Sequence, residues 1–190
     1  MDIINLFHFF IRFKNGKFSL KNQNSDKWVN RSKVAISFMN GLFLPNEKIK
    51  VGDFGCGDMK IKKILSELNY HNVLYSGYDC MPQNKDIQLA NFNEKIPDEK
   101  FDVIFSMGLL EYLDDLEFFL NFIKNNAENI IVSYVIADSE NYSDEEIKIK
   151  GWKNHLKSHE LEAIFTKIGL IIQKSIIVDN GLTKIYLLKI

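Results

Sequence analysis

Cysteine is scarce in this sequence. The 190 residues contain two cysteines, Cys56 and Cys80, which form neither a CxxC pair nor the spacing of a zinc site. Because 46% of the residues are hydrophobic, a chain of this length can bury a sufficient core as one domain without disulfide bonds. We therefore expect a cytoplasmic protein with reduced thiols and no bound metal.

Long hydrophobic runs are also missing. The longest N-terminal apolar stretch, Ile3 to Ile11, is interrupted by Asn5 and His8 and is well short of the roughly 20 residues that span a bilayer. It also lacks the basic segment and the cleavage site of a signal peptide. The sequence therefore predicts no membrane association.

The chain carries no large excess of either charge. Its 24 Lys and Arg are balanced by 25 Asp and Glu, which argues against a protein that coats nucleic acid through bulk charge. Positive charge is nevertheless concentrated in the N-terminal region, at Arg12, Lys14, Lys17, Lys21, Arg31 and Lys33. This region could attract an anionic small molecule or RNA.

The residue pattern changes near Pro45. Before it, Ser25 is a potential N-cap for a helix that runs toward Phe43. The apolar stripe of this helix has spacings of three and four and consists of Trp28, Ser32, Ala35, Met39 and Leu42. We predict an N-terminal helical extension or lid over residues 1–46 and a second unit over residues 47–190.

After Pro45, short apolar runs alternate with amphipathic segments. The runs are Ile49–Phe54, Val73–Tyr78, Ile87–Ala90, Phe101–Met107 and Ile130–Val135. Strands separated by helices predict a doubly wound, mostly parallel α/β sheet.

The C-terminal region departs from this alternation. Ser158 is a potential N-cap of a helix that ends near Gly169. Two β-runs, Leu170–Val178 and Thr183–Ile190, follow and are joined by Asp179-Asn180-Gly181. Such a short connection predicts an antiparallel hairpin at the end of the sheet.

A glycine loop follows the first predicted strand, in Val51-Gly52-Asp53-Phe54-Gly55-Cys56-Gly57-Asp58. Gly55 and Gly57 allow a tight turn and a close approach to a ligand at the carboxyl end of the strand. A dinucleotide fingerprint requires a third glycine where this chain has Lys60, so the sequence disfavours a pyrophosphate ligand.

An acidic residue ends the second predicted strand. Asp79 lies 22 residues after Gly57, a position from which a carboxylate can accept hydrogen bonds from both hydroxyls of a ribose. The loop and this carboxylate together predict a ligand that contains ribose.

Four motifs together resemble the class I S-adenosylmethionine-dependent methyltransferases. They are Asp53-Phe54-Gly55-Cys56-Gly57, Asp79, Asn91-Phe92, and the segment from Phe101 to Tyr112 around the fourth strand. The terminal hairpin is similar to the end of that family's seven-stranded sheet. The resemblance covers about residues 49–190, and it implies S-adenosylmethionine as cofactor.

The resemblance also implies roles for individual residues. The Gly55–Gly57 backbone would accommodate the methionine and ribose, Asp53 the amino-acid end, and Asp79 the ribose hydroxyls. Asn91 and the backbone N–H of Phe92 would contact the adenine, with Ser106 and Met107 beside the methyl group. Cys56 and Cys80, the neighbours of these residues, belong to the same implied site.

Three positions depart from the family pattern. Met59 replaces a third glycine, Asn91 replaces a frequent aspartate, and Tyr112 stands where a Glu-His pair is common. The last departure leaves the identity of any catalytic base open.

Candidate catalytic residues are Glu111, Tyr112 and His155, with Tyr134 as a further polar side chain near a strand end. Glu111 is equally interpreted as a helix-start carboxylate, and His155 as an ordinary loop residue. The expected reaction is in-line methyl transfer to an oxygen or nitrogen of a small molecule, such as an anionic sugar or a phosphorylated metabolite. The alternatives are an RNA methyltransferase and a non-catalytic subunit that binds a protein partner.

Overall fold

A seven-stranded sheet forms the centre of the protein. The computed structural model describes residues 26–139 and 141–190. The strands are β1 (Ile49–Phe54), β2 (Val73–Asp79), β3 (Ile87–Leu89), β4 (Phe101–Met107), β5 (Ala127–Val135), β6 (Ile171–Val178) and β7 (Thr183–Lys189). Their order across the sheet is β3-β2-β1-β4-β5-β7-β6.

The sheet has the predicted mixture of strand directions. β1 to β5 pair in parallel, whereas β7 is antiparallel to both β5 and β6. The doubly wound sheet and the C-terminal hairpin are therefore confirmed. Because parallel strands share one direction, the carboxyl ends of β1, β2 and β4 meet at one edge of the sheet.

Five α-helices and two 3₁₀ turns lie in the described part of the chain. The helices are α1 (Asp26–Ser37), α2 (Lys60–Glu67), α3 (Leu116–Asn126), α4 (Asp144–Lys150) and α5 (Ser158–Lys167). The turns are Leu110–Tyr112 after β4 and Asp179–Gly181 between β6 and β7. None of these helices is long and apolar enough to cross a membrane.

Each face of the sheet carries its own core. On one face, the fully buried Phe119 of α3 packs against Phe54, and the fully buried Phe165 of α5 packs against Tyr186 of β7 in the same cluster. On the other face, Ile36 of α1 and Leu65 of α2 pack over β1, β4, β5 and β7. The helices thus cover both faces, as alternating strands and helices require.

The helix before Pro45 is shorter than the sequence pattern predicts. It ends at Ser37 rather than near Phe43, because Phe38 N–H and Met39 N–H donate to carbonyls three residues back and the chain then turns through Gly41 (φ +86°). Met39 is nevertheless fully buried. The predicted cap, Ser25, lies outside the described residues, as do Arg12, Lys14, Lys17 and Lys21.

The start of α5 also differs from the prediction. Lys157 is the N-cap, and Ser158 is the first helical residue. The hydroxyl and the backbone N–H of Ser158 both donate to the carboxylate of Asp138, at 2.5 and 2.6 Å. These bonds tie the start of α5 to the chain after β5.

Candidate functional site

The glycine loop after β1 folds against the end of β2. Gly55 and Gly57 have φ of +77° and +53°, in the left-handed region where a side chain is strained. The N–H groups of Gly55 and Cys56 both donate to the Tyr78 carbonyl, at 2.8 and 3.0 Å. A Cβ on Gly55 would lie 3.2 Å from Cβ of Leu109, so the loop is closely apposed to the chain that follows β4.

Met59 stands where the family that the sequence resembles frequently has glycine. It adopts φ +60°, ψ +42° and forms the N-cap of α2. A left-handed backbone is uncommon for a residue other than glycine. The chain therefore keeps the conformation that glycine favours while burying a methionine side chain.

The carboxylate of Asp79 joins the end of β2 to the glycine loop. Its Oδ2 accepts from Gly57 N–H at 2.9 Å, and its Oδ1 accepts from Met81 N–H at 2.8 Å. The side chain is thereby fixed at the carboxyl edge of the sheet. The two features that predict a ribose ligand are in direct contact.

Asp53 is a buried carboxyl beneath this loop. It is 1% exposed, and its Oδ2 accepts a hydrogen bond from the Tyr75 hydroxyl at 2.5 Å. Burial raises the pKa of Asp53 to about 7, the nearby charges of Asp79 and Asp58 add to this rise, and the Tyr75 hydrogen bond opposes it. Its charge therefore changes near neutral pH.

The chain after β3 contains two residues predicted to contact the adenine, one exposed and one buried. Asn91 is exposed, and its side-chain oxygen accepts from Asn93 N–H at 3.2 Å. Phe92 is 4% exposed, and its ring stacks on Phe54 with centroids 5.2 Å apart. The Phe92 ring therefore belongs to the core, which leaves its backbone as the group that can meet a ligand.

The end of β4 brings polar groups under the N-terminal helix. Ser106 is fully buried, and its hydroxyl has no hydrogen-bond partner among the described residues. Gly108 has φ +68° and donates its N–H to the Ser133 hydroxyl at 2.9 Å. A Cβ on Gly108 would lie only 2.6 Å from Cη2 of Trp28, so the indole of α1 lies directly on the β4 end.

Comparison with solved structures identifies this architecture. The chain superposes on a complex of the Haloferax volcanii Trm112 methyltransferase activator with a putative methyltransferase, with a TM-score of 0.69, 13% identity and coverage of 89% of this chain and 92% of that chain. It also superposes on the Synechocystis magnesium protoporphyrin IX methyltransferase with bound SAH, with a TM-score of 0.67, 11% identity and coverage of 92% and 94%. The chain has the class I methyltransferase fold.

A third structure shares only part of its length with this chain. The mitomycin 7-O-methyltransferase matches 83% of this chain with a TM-score of 0.61 and 15% identity, and the chain spans about half, 52%, of that protein. No protein-family model matches the sequence, and a search of curated proteins also gives no match. The class I methyltransferase fold therefore rests on three-dimensional similarity.

Glu111 lies inside the methyltransferase fold rather than on its surface. It is 2% exposed, its Oε1 accepts from Val135 N–H at 2.7 Å, and its Oε2 has no hydrogen-bond partner among the described residues. Burial raises the pKa of Glu111, while the hydrogen bond from Val135 and the charge of Arg31 oppose the rise. The carboxyl thus links the 3₁₀ turn after β4 to the last residue of β5.

Tyr134 has a structural position. Its ring is fully buried, and its hydroxyl donates to Asn154 Oδ1 at 2.6 Å and accepts from Leu156 N–H at 2.8 Å. Asn154 in turn donates to the carbonyls of Leu110 and Leu113, both at 3.0 Å. Tyr134 therefore holds the chain before α5 in place, and both of its bonding capacities are used within the protein.

His155 lies in this same segment and is half-buried. Its Nε2 is inaccessible and has no hydrogen-bond partner among the described residues. Burial lowers the pKa of His155, although a hydrogen bond to the Ile136 backbone opposes this. Tyr112, the third catalytic candidate, is partly exposed in the 3₁₀ turn whose Glu111 carbonyl accepts from Lys153 N–H at 2.7 Å. The structure thus brings together the 3₁₀ turn after β4 and the segment before α5.

Arg31 is a largely buried residue of α1, so its positive charge does not face solvent. Its guanidinium forms an ion pair with Asp179, and the two side chains are 12% and 3% exposed. It also lies 4.6 Å from the ring centroid of Trp28. Lys33, the other basic residue of the predicted patch that lies within the described chain, is exposed on α1.

Sequence reasoning missed four residues at this edge of the sheet: Trp28 as a cover of the β4 end, Tyr75 as the partner of Asp53, Gly108 and Asp179. Gly108 is the one with a local signal, because it directly follows a predicted strand. The contacts of the other three join elements that are far apart in the chain.

A cavity lies away from the candidate site. It has a volume of about 610 Å³ and opens at the amino edge of the sheet beside Lys50, Lys100 and Phe101, away from the glycine loop. Among residues 26–139 and 141–190, no group of three or more His, Cys, Asp or Glu is arranged to hold a metal ion.

Proposed function

We propose that this protein is an S-adenosylmethionine-dependent methyltransferase that acts on a small molecule. The observation that carries the proposal is the contact between Asp79 and the N–H of Gly57 at 2.9 Å. It holds a carboxylate beside a tight glycine turn at the carboxyl edge of the sheet, where open α/β folds bind their ligands. The similarity to SAH-bound and other methyltransferase structures supports the same function.

The residues present fit this cofactor. Gly55 has the left-handed backbone that lets the loop turn tightly at the strand end, and the buried Ser106 hydroxyl has no hydrogen-bond partner among the described residues. Asp79 and Asp58 lie close enough to Asp53 to add to the rise of its pKa. Asp58 is paired with Lys60 at 2.6 Å, so Asp53 and Asp79 are the carboxylates that favour a positively charged ligand at this edge. S-adenosylmethionine carries a sulfonium and an ammonium group.

We assign the holding residues as follows. Asp53 would accept from the amino group, Asp79 from the ribose hydroxyls, and Asn91 with the Phe92 N–H would contact the adenine. The remaining residues of the proposed cofactor site are Gly55, Cys56, Gly57, Cys80, Ser106 and Met107. When bound, the cofactor supplies a methyl group that a lone pair on oxygen or nitrogen of the acceptor takes in an in-line displacement, with the sulfur keeping the electron pair.

Glu111, Tyr112 and His155 are the proposed groups on the acceptor side. They belong to the two segments joined by the bond from Lys153 N–H to the Glu111 carbonyl. His155 offers an unpartnered nitrogen, whereas Glu111 is buried and acts through the position of Val135 and the 3₁₀ turn. The protein would orient the acceptor, and His155 would take a proton from it once Nε2, which is inaccessible in this structure, is exposed to the acceptor.

The charge of the acceptor is a separate question. The prediction of an anionic acceptor or RNA depends on six basic residues, four of which precede Asp26, while Arg31 is paired with Asp179. The described residues therefore add no support for a negatively charged acceptor, and we assign no charge to the proposed small molecule on this ground. We keep the cytoplasm as the proposed location, since Cys56 and Cys80 form no disulfide.

Calorimetric titration with S-adenosylhomocysteine tests the proposal. We expect saturable binding to the intact chain and weaker binding by Asp79→Asn, by about 1–3 kcal/mol, because ribose hydroxyls lose a charged acceptor. Asp102→Asn is the matched control, since Asp102 likewise accepts a backbone N–H, from Lys50 at 2.7 Å, but at the other edge of the sheet. Equal affinities for the two variants would remove Asp79 from the site.

No binding of S-adenosylhomocysteine by the folded wild-type protein would overturn the proposal in favour of a non-catalytic subunit. Binding of cofactor with methyl transfer to RNA, and to no small molecule, would instead support the RNA methyltransferase.

A further inference from the structure

Three aromatic rings form a cluster between β5 and α5. Tyr142 and Trp152 meet edge to face with centroids 5.2 Å apart, and His155 lies 5.4 Å from Trp152 and 5.9 Å from Tyr142. We call these three residues the aromatic cluster. The face of an aromatic ring attracts a positively charged group.

A cation of the chain itself already lies on this cluster. The Nζ of Lys150 is 4.9 Å from the ring centroid of Tyr142 and 5.4 Å from that of Trp152. The carboxylate of Glu146, one turn earlier on α4, is close enough to interact electrostatically with Lys150. The cluster thus already holds an ammonium group of the chain itself, over two of its three rings.

Lys150 is well placed to leave the site. It is the last residue of α4, a seven-residue helix with no buried residue, and it is followed by Gly151 with φ +71°. Its side chain can therefore withdraw without disturbing the core. A lysine ammonium is also strongly hydrated, so solvent compensates its displacement.

The aromatic cluster also presents an unpartnered polar atom. Nε2 of His155 is inaccessible and unbonded among the described residues, while the hydrogen bond to the Ile136 backbone uses the other ring nitrogen. In the neutral imidazole, Nε2 is then the acceptor. Because this atom is inaccessible while Lys150 lies on the cluster, a hydroxyl or N–H beside the ammonium group of an acceptor would reach it only after the Lys150 side chain withdraws.

Hydrogen bonds connect the cluster to the proposed methyl-transfer site. Lys153 N–H donates to the Glu111 carbonyl at 2.7 Å, and Asn154 donates to the carbonyls of Leu110 and Leu113. Trp152 and His155 flank these two residues. The cluster is therefore held against the 3₁₀ turn that follows β4, at the edge of the sheet that carries the glycine loop.

From these contacts we infer that Tyr142, Trp152 and His155 form an acceptor subsite for a small molecule with a positively charged ammonium group and a neighbouring hydroxyl or N–H. Lys150 occupies this subsite when the acceptor is absent. The inference rests on the proposed function for its place in a reaction, but binding at the cluster can be measured without the cofactor.

Two tryptophans make the test direct, because Trp28 and Trp152 are the only ones in the chain. Choline is titrated into the ¹⁵N-labelled protein, and the indole N–H signals are followed, with Trp152→Phe used for assignment. We expect choline to shift the Trp152 signal in a saturable manner. The uncharged isostere 3,3-dimethylbutan-1-ol should leave it unchanged.

Two variants sharpen the result. Lys150→Met removes the competing ammonium and should tighten choline binding by roughly two- to fivefold, the size of one exposed cation–π contact. His155→Phe keeps an aromatic ring and removes Nε2, so it should weaken choline severalfold and leave tetramethylammonium, which has no hydroxyl, unaffected. Equal responses to choline and its isostere, or no Trp152 response in both wild type and Lys150→Met, would overturn the inference.

Calorimetry with S-adenosylhomocysteine on the same sample separates this inference from the proposed function. Cofactor binding without choline binding would overturn the acceptor subsite alone. Choline binding without cofactor binding would overturn the methyltransferase proposal and leave an ammonium site.

Discussion

The carboxylate of Asp179, in the turn between β6 and β7, pairs with the guanidinium of Arg31 on α1. Both side chains are largely buried, and the guanidinium also lies over the indole of Trp28. The pair fixes α1 over the end of β4, where Trp28 contacts Gly108. The N-terminal helix is thereby joined to the C-terminal hairpin across the site.

Breaking this pair should destabilise the fold. Asp179→Asn retains a residue type that tolerates the observed φ of +55° but leaves the Arg31 charge without its partner. We expect a loss of about 2–4 kcal/mol in the free energy of unfolding, measured by urea denaturation. The double variant Arg31→Met, Asp179→Asn should recover part of this loss, and a strictly additive double variant would show that the two side chains are not coupled.

Gly108→Ala tests the contact between α1 and β4. Its φ of +68° makes alanine unfavourable by about 1–2 kcal/mol, and the new Cβ would also displace Trp28. Gly41→Ala is the matched control, because Gly41 has φ +86° and nothing within 4 Å of its Cβ position. We expect Gly108→Ala to lose more unfolding free energy than the control, and equal losses would contradict the close contact.

The charge of Asp53 should control cofactor affinity near neutral pH. With its pKa raised to about 7, the carboxyl is largely protonated at pH 6 and ionised at pH 8, and the ionised form attracts the cofactor's ammonium group. Affinity for S-adenosylhomocysteine, measured by calorimetry, should therefore rise roughly tenfold between these pH values. Asp53→Asn should bind weakly with a flat profile over this range.

The raised pKa of Asp53 also predicts how stability depends on pH. Stability should fall as pH rises, whereas cofactor affinity should increase. The folded state holds the Asp53 proton more tightly than the unfolded chain does, between its ordinary pKa of 3.8 and about 7. The contribution of Asp53 to stability is therefore largest below this window and falls as pH rises through it. Thermal unfolding of wild type and Asp53→Asn across pH 4–8 should show the difference.

Tyr75→Phe should move the pH profile of cofactor binding. The Tyr75 hydroxyl donates to Asp53 at 2.5 Å and opposes the rise in the Asp53 pKa, and phenylalanine retains the ring. We expect the midpoint of the profile to shift above that of wild type. An unchanged midpoint would mean that Asp53 is not the group that titrates.

Local sequence patterns predicted much of the fold of this protein. Alternating short β-runs and amphipathic helices specified a doubly wound sheet, because side-chain periodicity reports which face each element buries. Asp179-Asn180-Gly181 specified the terminal hairpin, and all three residues have positive φ. The glycine loop and Asp79 could likewise be recognised in the sequence, since their backbone and charge requirements are local.

Tertiary structure decided which side chains meet. The sequence placed Arg31 in a basic patch, but its charge is neutralised by a residue 148 positions away. Tyr134 was a candidate because it is polar and lies near a strand end. In the structure it is buried, and its hydroxyl donates to Asn154 in the segment before α5. Contacts between distant elements depend on how helices pack on the sheet, and no local spacing encodes that packing.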